Sequence, residues 1–338
     1  MSEALGTLLH PIQTGVIELP AGARVLVLNA PVGFRLPSDL RAIPSLVQDF
    51  RPDFLALQRA GHVVTPNVDG DGYDLALVLC GRHRGRNELW VAEALRRTRP
   101  GALVVVGGAK TDGAASLKKR IGALSNLEGN ASKHHGVVFW LRRPDDVEQL
   151  ASALVEANPP LLLDDGYATV PGLFSHDRID AGSRLLAETL PADLRGRAAD
   201  FGAGWGYLSA RLAQTAHGIE SVDLYEAGFA ACEAARSNLA RLAPDTPVEV
   251  HWHDILSEAV PRRYDVIVMN PPFHGGRAAE PAMGEGFIRA ASAALKPGGR
   301  LWLVANRPLP YEVALQRHFP RYAETLRDER YKVLCAIR

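Results

Sequence analysis

The sequence predicts an α/β fold made of two tandem Rossmann-like domains with mostly parallel, doubly wound sheets. The chain has 338 residues, which is more than one hydrophobic core usually serves. Its apolar runs are continuous rather than alternating and are separated by helical patterns, as in parallel sheets that are covered on both faces. In addition, the same succession of motifs occurs twice along the chain.

The repeat is clearest in two long segments, Tyr73 to Lys110 and Tyr264 to Arg307. Each opens with Tyr-Asp and an apolar strand and continues through a loop with glycine and arginine into an amphipathic helix. Each then ends with Pro-Gly before another apolar strand. The join between the copies is predicted in the proline-rich stretch 157–172. We therefore expect domains over residues 1–158 and 159–338.

The two copies differ in the loops at which parallel sheets bind ligands. The first copy has NAPVG at 29–33, where the second has the glycine-rich DFGAGWG at 200–206. It has LCGRHRG at 79–85, where the second has MNPPFHGG at 269–276. If these loops bind a cofactor and a substrate, only the second copy carries chemistry. We therefore expect the N-terminal copy to be degenerate.

The bulk composition restricts the class of protein. Apolar residues make up 47% and charged residues 22% of the chain, and the formal net charge is zero, as in ordinary globular proteins. The three cysteines, Cys80, Cys232 and Cys335, lie far apart without a C-x-x-C pair, so neither a disulfide framework nor a metal site is expected. No apolar run approaches the ~20 residues that span a bilayer. The expectation is a soluble, cytoplasmic monomer.

A glycine-rich turn follows the first strand of the second copy. It contains Asp200, Gly202, Gly204 and Gly206 and precedes a helical stretch. Glycine permits a sharp turn and close approach of a ligand, and the helix adds free N–H groups. The G-x-G-x-G spacing differs from the dinucleotide-binding G-x-G-x-x-G. An acid just before the first glycine suits a cationic group, so Asp200 is expected to face an ammonium group, directly or through water.

Two further acids are expected to complete the cofactor site. Glu226 lies at the tip of the next apolar strand and is predicted to hold two ribose hydroxyls. Asp254 follows the strand after that and is predicted to read an adenine amine, with Ile255 packed on the ring. Three glycines and three acids in this order predict S-adenosylmethionine as the cofactor. A dehydrogenase would not need the Asn-Pro-Pro-Phe that follows the fourth strand.

The NPPFH segment ends this fourth strand, because proline cannot donate to a sheet ladder. The Asn270 side-chain oxygen and the Pro271 carbonyl can accept both hydrogens of an exocyclic amine. This frees the nitrogen lone pair from the ring and stabilises growing positive charge. Phe273 offers a flat face for a base, and His274 either moves a proton or bonds to the backbone. Asn270 is expected to touch the cofactor as well.

These motifs resemble the class I methyltransferase small-domain family, and NPPFH is most similar to the bacterial guanine-N2 methyltransferases of ribosomal RNA. The resemblance is carried by GLFSHDRIDAGSRLLAETL, FGAGWG, NPPFHGG and YKVLCAIR. It covers the C-terminal half strongly and the N-terminal half by architecture. It implies two tandem methyltransferase domains, an antiparallel last strand, and methylation of 16S ribosomal RNA, free or in a 30S subunit or assembly intermediate. Glu226 departs from the family, in which Asp is frequent.

A segment before the glycine loop adds further candidates. In the family, FSHDRIDAGS (174–183) lies against the cofactor and substrate, which makes Phe174, Asp180 and Ser183 candidates. For Asp180 and Ser183, N-capping of a helix is the preferred interpretation.

The first copy has a basic loop where the second has NPPFHGG. The residues Arg82, Arg84 and Arg86 of RHRGR lie at the ligand edge of the predicted first sheet. Charge runs are usually solvated faces. The hypothesis is that this loop binds RNA phosphates, while the first domain also gives structural support.

Other functions stay open at this point. Methylation of 23S ribosomal RNA is an alternative, because a sister family shares the layout and NPPFH. Adenine-N6 and protein-glutamine methyltransferases usually carry Tyr in place of Phe273 and lack the duplicate. A non-catalytic RNA chaperone is a different class of function, but it would have no use for the acids Glu226 and Asp254.

Overall fold

The computed structural model describes residues 2–37, 40–163, 165–272 and 280–338. The chain divides into two compact units, Met1–Pro160 and Leu161–Arg338. The division falls within the proline-rich stretch in which the sequence places the join.

The first unit is a seven-stranded sheet with helices. In chain order its elements are α1 (Glu3–Gln13), β1 (Arg24–Leu28), β2 (Ile43–Val47), α2 (Arg51–Arg59), β3 (Val64–Thr65), β4 (Tyr73–Leu79), α3 (Arg84–Arg97), β5 (Thr98–Ala109), a 3-10 turn (Lys110–Asp112), α4 (Ala114–Leu124), β6 (Gly129–Lys133), β7 (Gly136–Arg142) and α5 (Val147–Glu156). The strand order is β3-β2-β1-β4-β5-β7-β6. The first five strands pair in parallel, β7 is antiparallel to β5, and β6 is antiparallel to β7.

The second unit has the same sheet. Its elements are β8 (Leu161–Leu162), β9 (Ala168–Thr169), α6 (Ala181–Thr189), β10 (Arg195–Phe201), α7 (Tyr207–Thr215), β11 (Gly218–Glu226), α8 (Phe229–Leu242), β12 (Val248–Trp252), β13 (Tyr264–Met269), α9 (Glu280–Ala294), β14 (Leu295–Asn306), α10 (Tyr311–His318), β15 (Arg321–Arg327) and β16 (Tyr331–Ile337). The order β12-β11-β10-β13-β14-β16-β15 repeats that of the first sheet. Again the last two strands are antiparallel, while β8 and β9 form a separate small ladder.

The central strands explain the continuous apolar runs of the sequence. All residues of β13 from Val266 to Met269 are buried. Val266 and Val268 belong to one hydrophobic cluster, whereas Ile267 and Met269 belong to the other. Because successive side chains of a strand point to opposite faces, both faces of this sheet are covered. The structure thus confirms two Rossmann-like units with mostly parallel sheets and antiparallel final strands.

The two units differ in one connection. In the second unit α7 joins β10 to β11. In the first unit the described residues between β1 and β2, 29–37 and 40–42, contain no helix. The repeat therefore preserves the sheet order more faithfully than the helices around it.

Within the described ranges, every helix is too short or too polar to cross a bilayer.

Candidate functional site

A cleft opens in the second unit where β10 and β13 end. It is bounded by the glycine loop after β10, the residue after β13 and the segment that leads into α6. The lining residues are Phe174, Ser175, Asp180, Ser183, Gly202, Ala203, Gly204, Trp205, Tyr207, Leu208 and Asn270. Motifs that are far apart in sequence therefore meet at the carboxyl edge of the sheet, where open α/β folds bind their ligands.

The glycine loop adopts a backbone that requires glycine. Gly202, Gly204 and Gly206 have φ angles of +75°, +55° and +89°, in the left-handed region that other residues avoid. A Cβ at Gly204 would meet no described atom within 4 Å, whereas a Cβ at Gly206 would lie 2.5 Å from Leu239 Cδ2. Gly204 is thus open to a ligand, and Gly206 allows the loop to pack closely against α8.

Asp200 lies in β10, two residues before the first glycine, and is fully buried. Its Oδ2 accepts a hydrogen bond from Ser209 Oγ at 2.7 Å, while its Oδ1 has no partner among the described residues. Burial raises the pKa of Asp200 to about 7, and the charge of Glu226 adds to the shift, whereas Ser209 opposes it. A nearby cation would relieve the cost of charge on this carboxyl.

Glu226 ends β11 beside the same loop. Its Oε2 accepts from the Gly204 backbone N–H at 2.8 Å, and its Oε1 accepts from the Gly228 N–H at 2.7 Å. Burial raises the pKa of Glu226 despite these two hydrogen bonds. The carboxylate is therefore rigidly held, and each oxygen keeps lone-pair capacity for a further donor.

Asp254 and Ile255 follow β12, and neither is among the residues that line the cleft. The Asp254 carboxylate accepts from the Leu256 N–H at 3.0 Å and from the Ser257 hydroxyl, which closes a local turn. Ile255 is buried in the hydrophobic cluster of the α9 face. Both residues lie at the strand end that the sequence predicts, and their contact with an adenine stays a prediction.

Asn270 directly follows β13 and is held by side chains from the segment before β10. Its Nδ2 donates to Asp180 Oδ2 at 2.9 Å and to Ser183 Oγ at 2.8 Å. Asp180 also caps α6, because its carboxylate accepts from the Ser183 N–H at 2.8 Å. The preferred interpretation of Asp180 as a cap is thus correct but incomplete, since the same carboxylate contacts Asn270.

The remaining residues predicted at this corner are only partly described. Pro271 is buried next to Asn270. Phe273 and His274 lie outside the described residues, and their roles stay predictions.

Several contacts of the cleft are not evident from the sequence. Trp205 Nε1 donates to the Phe174 carbonyl at 2.9 Å, and Asn238 Nδ2 donates to the carbonyls of Ala168 and Trp205, both at 2.9 Å. These bonds fasten the glycine loop to the segment that carries Phe174. A tryptophan inside a glycine-rich loop is the one signal that points to this contact.

The first unit shows which positions of the site have changed. The last paired positions of the three central strands correspond as Leu28–Val47–Val78 in the first sheet and Phe201–Tyr225–Met269 in the second. This register assigns a counterpart to each residue that follows these strands.

The counterpart of Glu226 is Gln48. Gln48 Oε1 accepts from the Phe50 N–H at 2.9 Å, as Glu226 Oε1 does from the Gly228 N–H. Gln48 Nε2 donates to the Ala30 carbonyl at 2.9 Å. The turn is therefore retained, but an amide has replaced the carboxylate that would bind ribose hydroxyls.

The other polar positions are apolar in the first unit. The register places Val27 at the position of Asp200 and Leu79 at the position of Asn270. The first unit thus lacks the counterparts of the buried acid and of the amide, in agreement with a degenerate copy.

The three arginines of the first unit are not equivalent. Arg82 and Arg84 are exposed, and Arg84 Nε lies 3.1 Å from Glu88 Oε1. Arg86 is half-buried, forms an ion pair with Asp49 and lies over the Trp90 ring. Arg86 is therefore already engaged within the unit, whereas Arg82 and Arg84 are the more accessible candidates, and phosphate binding by the three arginines stays a prediction.

One group in the second unit has the composition of a metal site. Ligand atoms of Asp223, Glu249 and His251 lie within 4.8 Å of one another. However, Arg262 forms ion pairs with both carboxylates, and the His251 ring stacks on Tyr225 at 4.6 Å. Both carboxylates are thus already paired with one arginine, and the absence of a metal stays a prediction.

Comparisons with known proteins identify the family of the chain. The model of the methyltransferase small domain family matches residues 166–335, which contain the glycine loop, the acidic strand ends and Asn270. A relative from Shewanella halifaxensis named ribosomal RNA small subunit methyltransferase C is 29% identical, and the alignment covers 95% of this chain and 96% of the relative. A relative of the same name from Sodalis glossinidius is 40% identical over 169 residues, or 50% of this chain and 47% of its own.

A solved structure extends the similarity to both units. It is the T. thermophilus 16S rRNA N2 G1207 methyltransferase, RsmC, in complex with AdoMet and guanosine, with a TM-score of 0.80 and 27% identity. The match covers 99% of this chain and 91% of that chain. On these grounds, the chain belongs to the methyltransferase small domain family.

Proposed function

We propose that this chain transfers a methyl group from S-adenosylmethionine to the exocyclic N2 amine of a guanine in 16S ribosomal RNA. The observation that carries the proposal is the orientation of Asn270. Both N–H groups of its amide are directed at Asp180 and Ser183. Among the described residues its oxygen has no recorded donor, so it is available as an acceptor at a cleft that the glycine loop also lines.

The residues beside the loop fit S-adenosylmethionine. The buried Asp200 has an unpaired oxygen and a pKa raised to about 7, and Glu226 is held beside Gly204. Burial disfavours the ionised form of both acids, so a cationic ligand is favoured over a pyrophosphate, which would add negative charge. When bound, S-adenosylmethionine supplies an electrophilic methyl group on a sulfonium sulfur.

The chemistry required of the chain is the activation of a weak nucleophile. The lone pair of a base amine is delocalised into the ring. Asn270 Oδ1 and the Pro271 carbonyl can accept the two amine hydrogens, which holds the lone pair out of conjugation and stabilises positive charge on nitrogen. Positioning supplies much of the remaining rate. The proton that the nitrogen loses can pass to water.

The choice of substrate rests on the relatives. Those described above are named for the small ribosomal subunit, and the T. thermophilus enzyme is described as acting on N2 of G1207. We propose the corresponding guanine of 16S ribosomal RNA, in a 30S subunit or an assembly intermediate, as the target. The enzyme would then act in the cytoplasm, as a monomer.

The proposal is tested by supplying labelled S-adenosylmethionine with 16S ribosomal RNA, 30S subunits, or 23S ribosomal RNA. Mass mapping of the product should show one methyl group on a guanine N2 of the 16S molecule. Modification of 23S RNA alone would refute the choice of RNA. An absence of both methylation and cofactor binding by calorimetry would instead favour a chaperone.

Asn270→Ala gives the corresponding loss-of-function variant. We expect a fall in the methylation rate of roughly 100-fold or more, because loss of one oriented acceptor removes about 3 kcal/mol of transition-state stabilisation. The affinity for S-adenosylmethionine should change little, since Asp200 and Glu226 remain. If calorimetry shows that both properties are lost together, Asn270 holds the cofactor or supports the fold, and its role is not confined to the target amine.

A further inference from the structure

We propose that Asp180 and Ser183 are positioning residues that set which end of the Asn270 amide faces the target amine. The inference rests on the proposed function and adds two residues to it. Asp180 and Ser183 lie 90 and 87 positions before Asn270 in sequence, yet both bind its Nδ2.

The need for such residues follows from the chemistry of an amide. An asparagine side chain presents an acceptor on one side and two donors on the other, and the two ends have nearly the same shape. A rotation of 180° about its last side-chain bond would turn the NH2 group toward the target. The target is itself an NH2 group, so two donors would then face each other and the amine would not be activated. The reaction therefore requires one of two similar rotamers.

Asp180 selects the productive rotamer. An ionised carboxylate has acceptors only, so the amide atom that lies 2.9 Å from Asp180 Oδ2 must be the nitrogen. Ser183 Oγ takes the second N–H at 2.8 Å, and Ser183 is buried with 8% exposure. A flipped amide would place its oxygen against the carboxylate. Because the flipped form would exchange a hydrogen bond to a charged group for a contact between two acceptors, it is a small minority.

Asp180 is itself held in place by two features of α6. Its carboxylate accepts from the Ser183 N–H as the helix cap. In addition, the glycine at position 182 leaves room for it, since a Cβ there would lie 3.1 Å from Asp180 Oδ2 and 3.0 Å from Tyr331 Cε1. The rigid start of a helix thus fixes the carboxylate, and the carboxylate fixes the amide.

The first test separates this role from helix capping. Serine is as good a helix cap as aspartate, but it is too short to reach Asn270. We expect Asp180→Ser to lower kcat for methylation of the 16S RNA substrate by roughly tenfold or more, with Kd for S-adenosylmethionine and Tm nearly unchanged. Asp180→Asn is the matched control, because its side-chain oxygen can serve both the cap and the Asn270 N–H, and it should keep most of the activity.

The second test uses a background in which orientation no longer matters. Asn270→Asp presents an oxygen in either rotamer, but it also places a carboxylate against Asp180, so the single variant should be strongly impaired. Adding Asp180→Ser to it removes that repulsion and should raise kcat. The same Asp180→Ser change would then lower kcat when residue 270 is Asn and raise it when residue 270 is Asp. A purely structural role for Asp180 would lower kcat in both backgrounds.

The outcomes distinguish this inference from the proposed function. If the wild-type protein methylates its RNA but Asp180→Ser has wild-type kcat, or lowers kcat equally in both backgrounds, only the positioning role is wrong. Ser183→Ala gives a further check, and a retained wild-type kcat would remove Ser183 from the role. If the wild-type protein itself fails to methylate RNA, the proposed function and this inference are both refuted.

Discussion

At the scale of single residues, ionisation of the two acids beside the glycine loop is disfavoured by burial, and a cationic ligand can offset that desolvation. Asp200 is fully buried with one oxygen unpaired, and burial raises the pKa of both Asp200 and Glu226. Such groups are ionised more readily once positive charge is nearby. The affinity for S-adenosylmethionine should therefore depend on pH.

The sign of this dependence follows from the pKa of Asp200, which is about 7 in the ligand-free protein. At pH 6 the carboxyl is mostly neutral, so binding of a cation must release its proton. At pH 8 it is already ionised. We expect affinity to fall by up to about tenfold from pH 8 to pH 6, with proton release near pH 6 in calorimetry.

Two variants assign this effect to Asp200. Asp200→Asn should reduce the pH dependence, because the titrating group is lost. Ser209→Ala should move the midpoint to higher pH, because the Ser209 hydrogen bond favours the ionised form. An unchanged slope in Asp200→Asn would mean that another group releases the proton.

Glu226 makes a second prediction at this scale. Glu226→Gln replaces one acceptor oxygen with a donor that would face a backbone N–H. Since hydrogen bonds to a charged group contribute about 1.5–3 kcal/mol, we expect affinity for S-adenosylmethionine to fall roughly 10- to 100-fold. Glu220→Gln is the matched control, because Glu220 is exposed at the other end of the same strand. Equal effects of the two variants on Kd would contradict a specific role for Glu226.

At the scale of elements, the glycine loop combines two requirements that substitution can separate. Gly206→Ala introduces a left-handed Ala, at about 1–2 kcal/mol, and a contact of 2.5 Å with Leu239. Because overpacking adds about 1–3 kcal/mol, we expect it to lower the free energy of unfolding by about 2–5 kcal/mol. A Cβ at Gly204 would have no described neighbour within 4 Å. Gly204→Ala should therefore lower the free energy of unfolding by little more than the backbone strain.

Gly206→Ala should be the more harmful variant for stability, and Gly204→Ala the more harmful one for binding of S-adenosylmethionine. Gly204 lines the cleft, so a methyl group there should weaken binding of S-adenosylmethionine more than one at Gly206 does in the folded fraction. Urea unfolding and calorimetry measure the two properties separately. The division of roles would be wrong if one variant were worse in both.

The sequence predicts the elements and the residues at strand ends well, but it does not predict contacts between residues that are far apart in the chain. Apolar strands, glycines and acids lie in local patterns, so the sheet and the positions of Asp200 and Glu226 follow from periodicity and parallel topology. The contact of Asp180 with Asn270 depends on tertiary packing across 90 residues, for which a local pattern carries no signal. The pairing of Arg86 with Asp49 is likewise non-local, and it changes how the basic loop is interpreted.

At the scale of the whole molecule, the two units share one sheet order, but only the second has the polar groups that we propose for the chemistry. The first unit retains the turn around Gln48 but has Val27 and Leu79 in place of the buried acid and the amide. Instead, Arg82 in the loop after β4 and Arg84 at the start of α3 are exposed. A unit that has lost its catalytic groups but presents cations at the same edge of the sheet is suited to hold the RNA backbone.

This division predicts how RNA affinity responds to salt. Each phosphate contact contributes roughly 0.7–0.9 to the slope of log K against log salt concentration. Changing Arg82 and Arg84 together to Ala should therefore weaken RNA binding and reduce that slope by up to about 1.8. Affinity for S-adenosylmethionine should not change, because the cofactor residues belong to the second unit.

The matched control removes the same charge from the opposite edge of the same sheet. Arg59 ends α2 and Arg99 lies at the start of β5, so changing both to Ala should leave the salt slope near the wild-type value. RNA binding titrations at several salt concentrations would compare the three proteins. A wild-type slope in the Arg82 and Arg84 variant would show that these arginines face solvent and do not contact RNA phosphates. Equal losses in both double variants would show that RNA responds to net charge rather than to this loop.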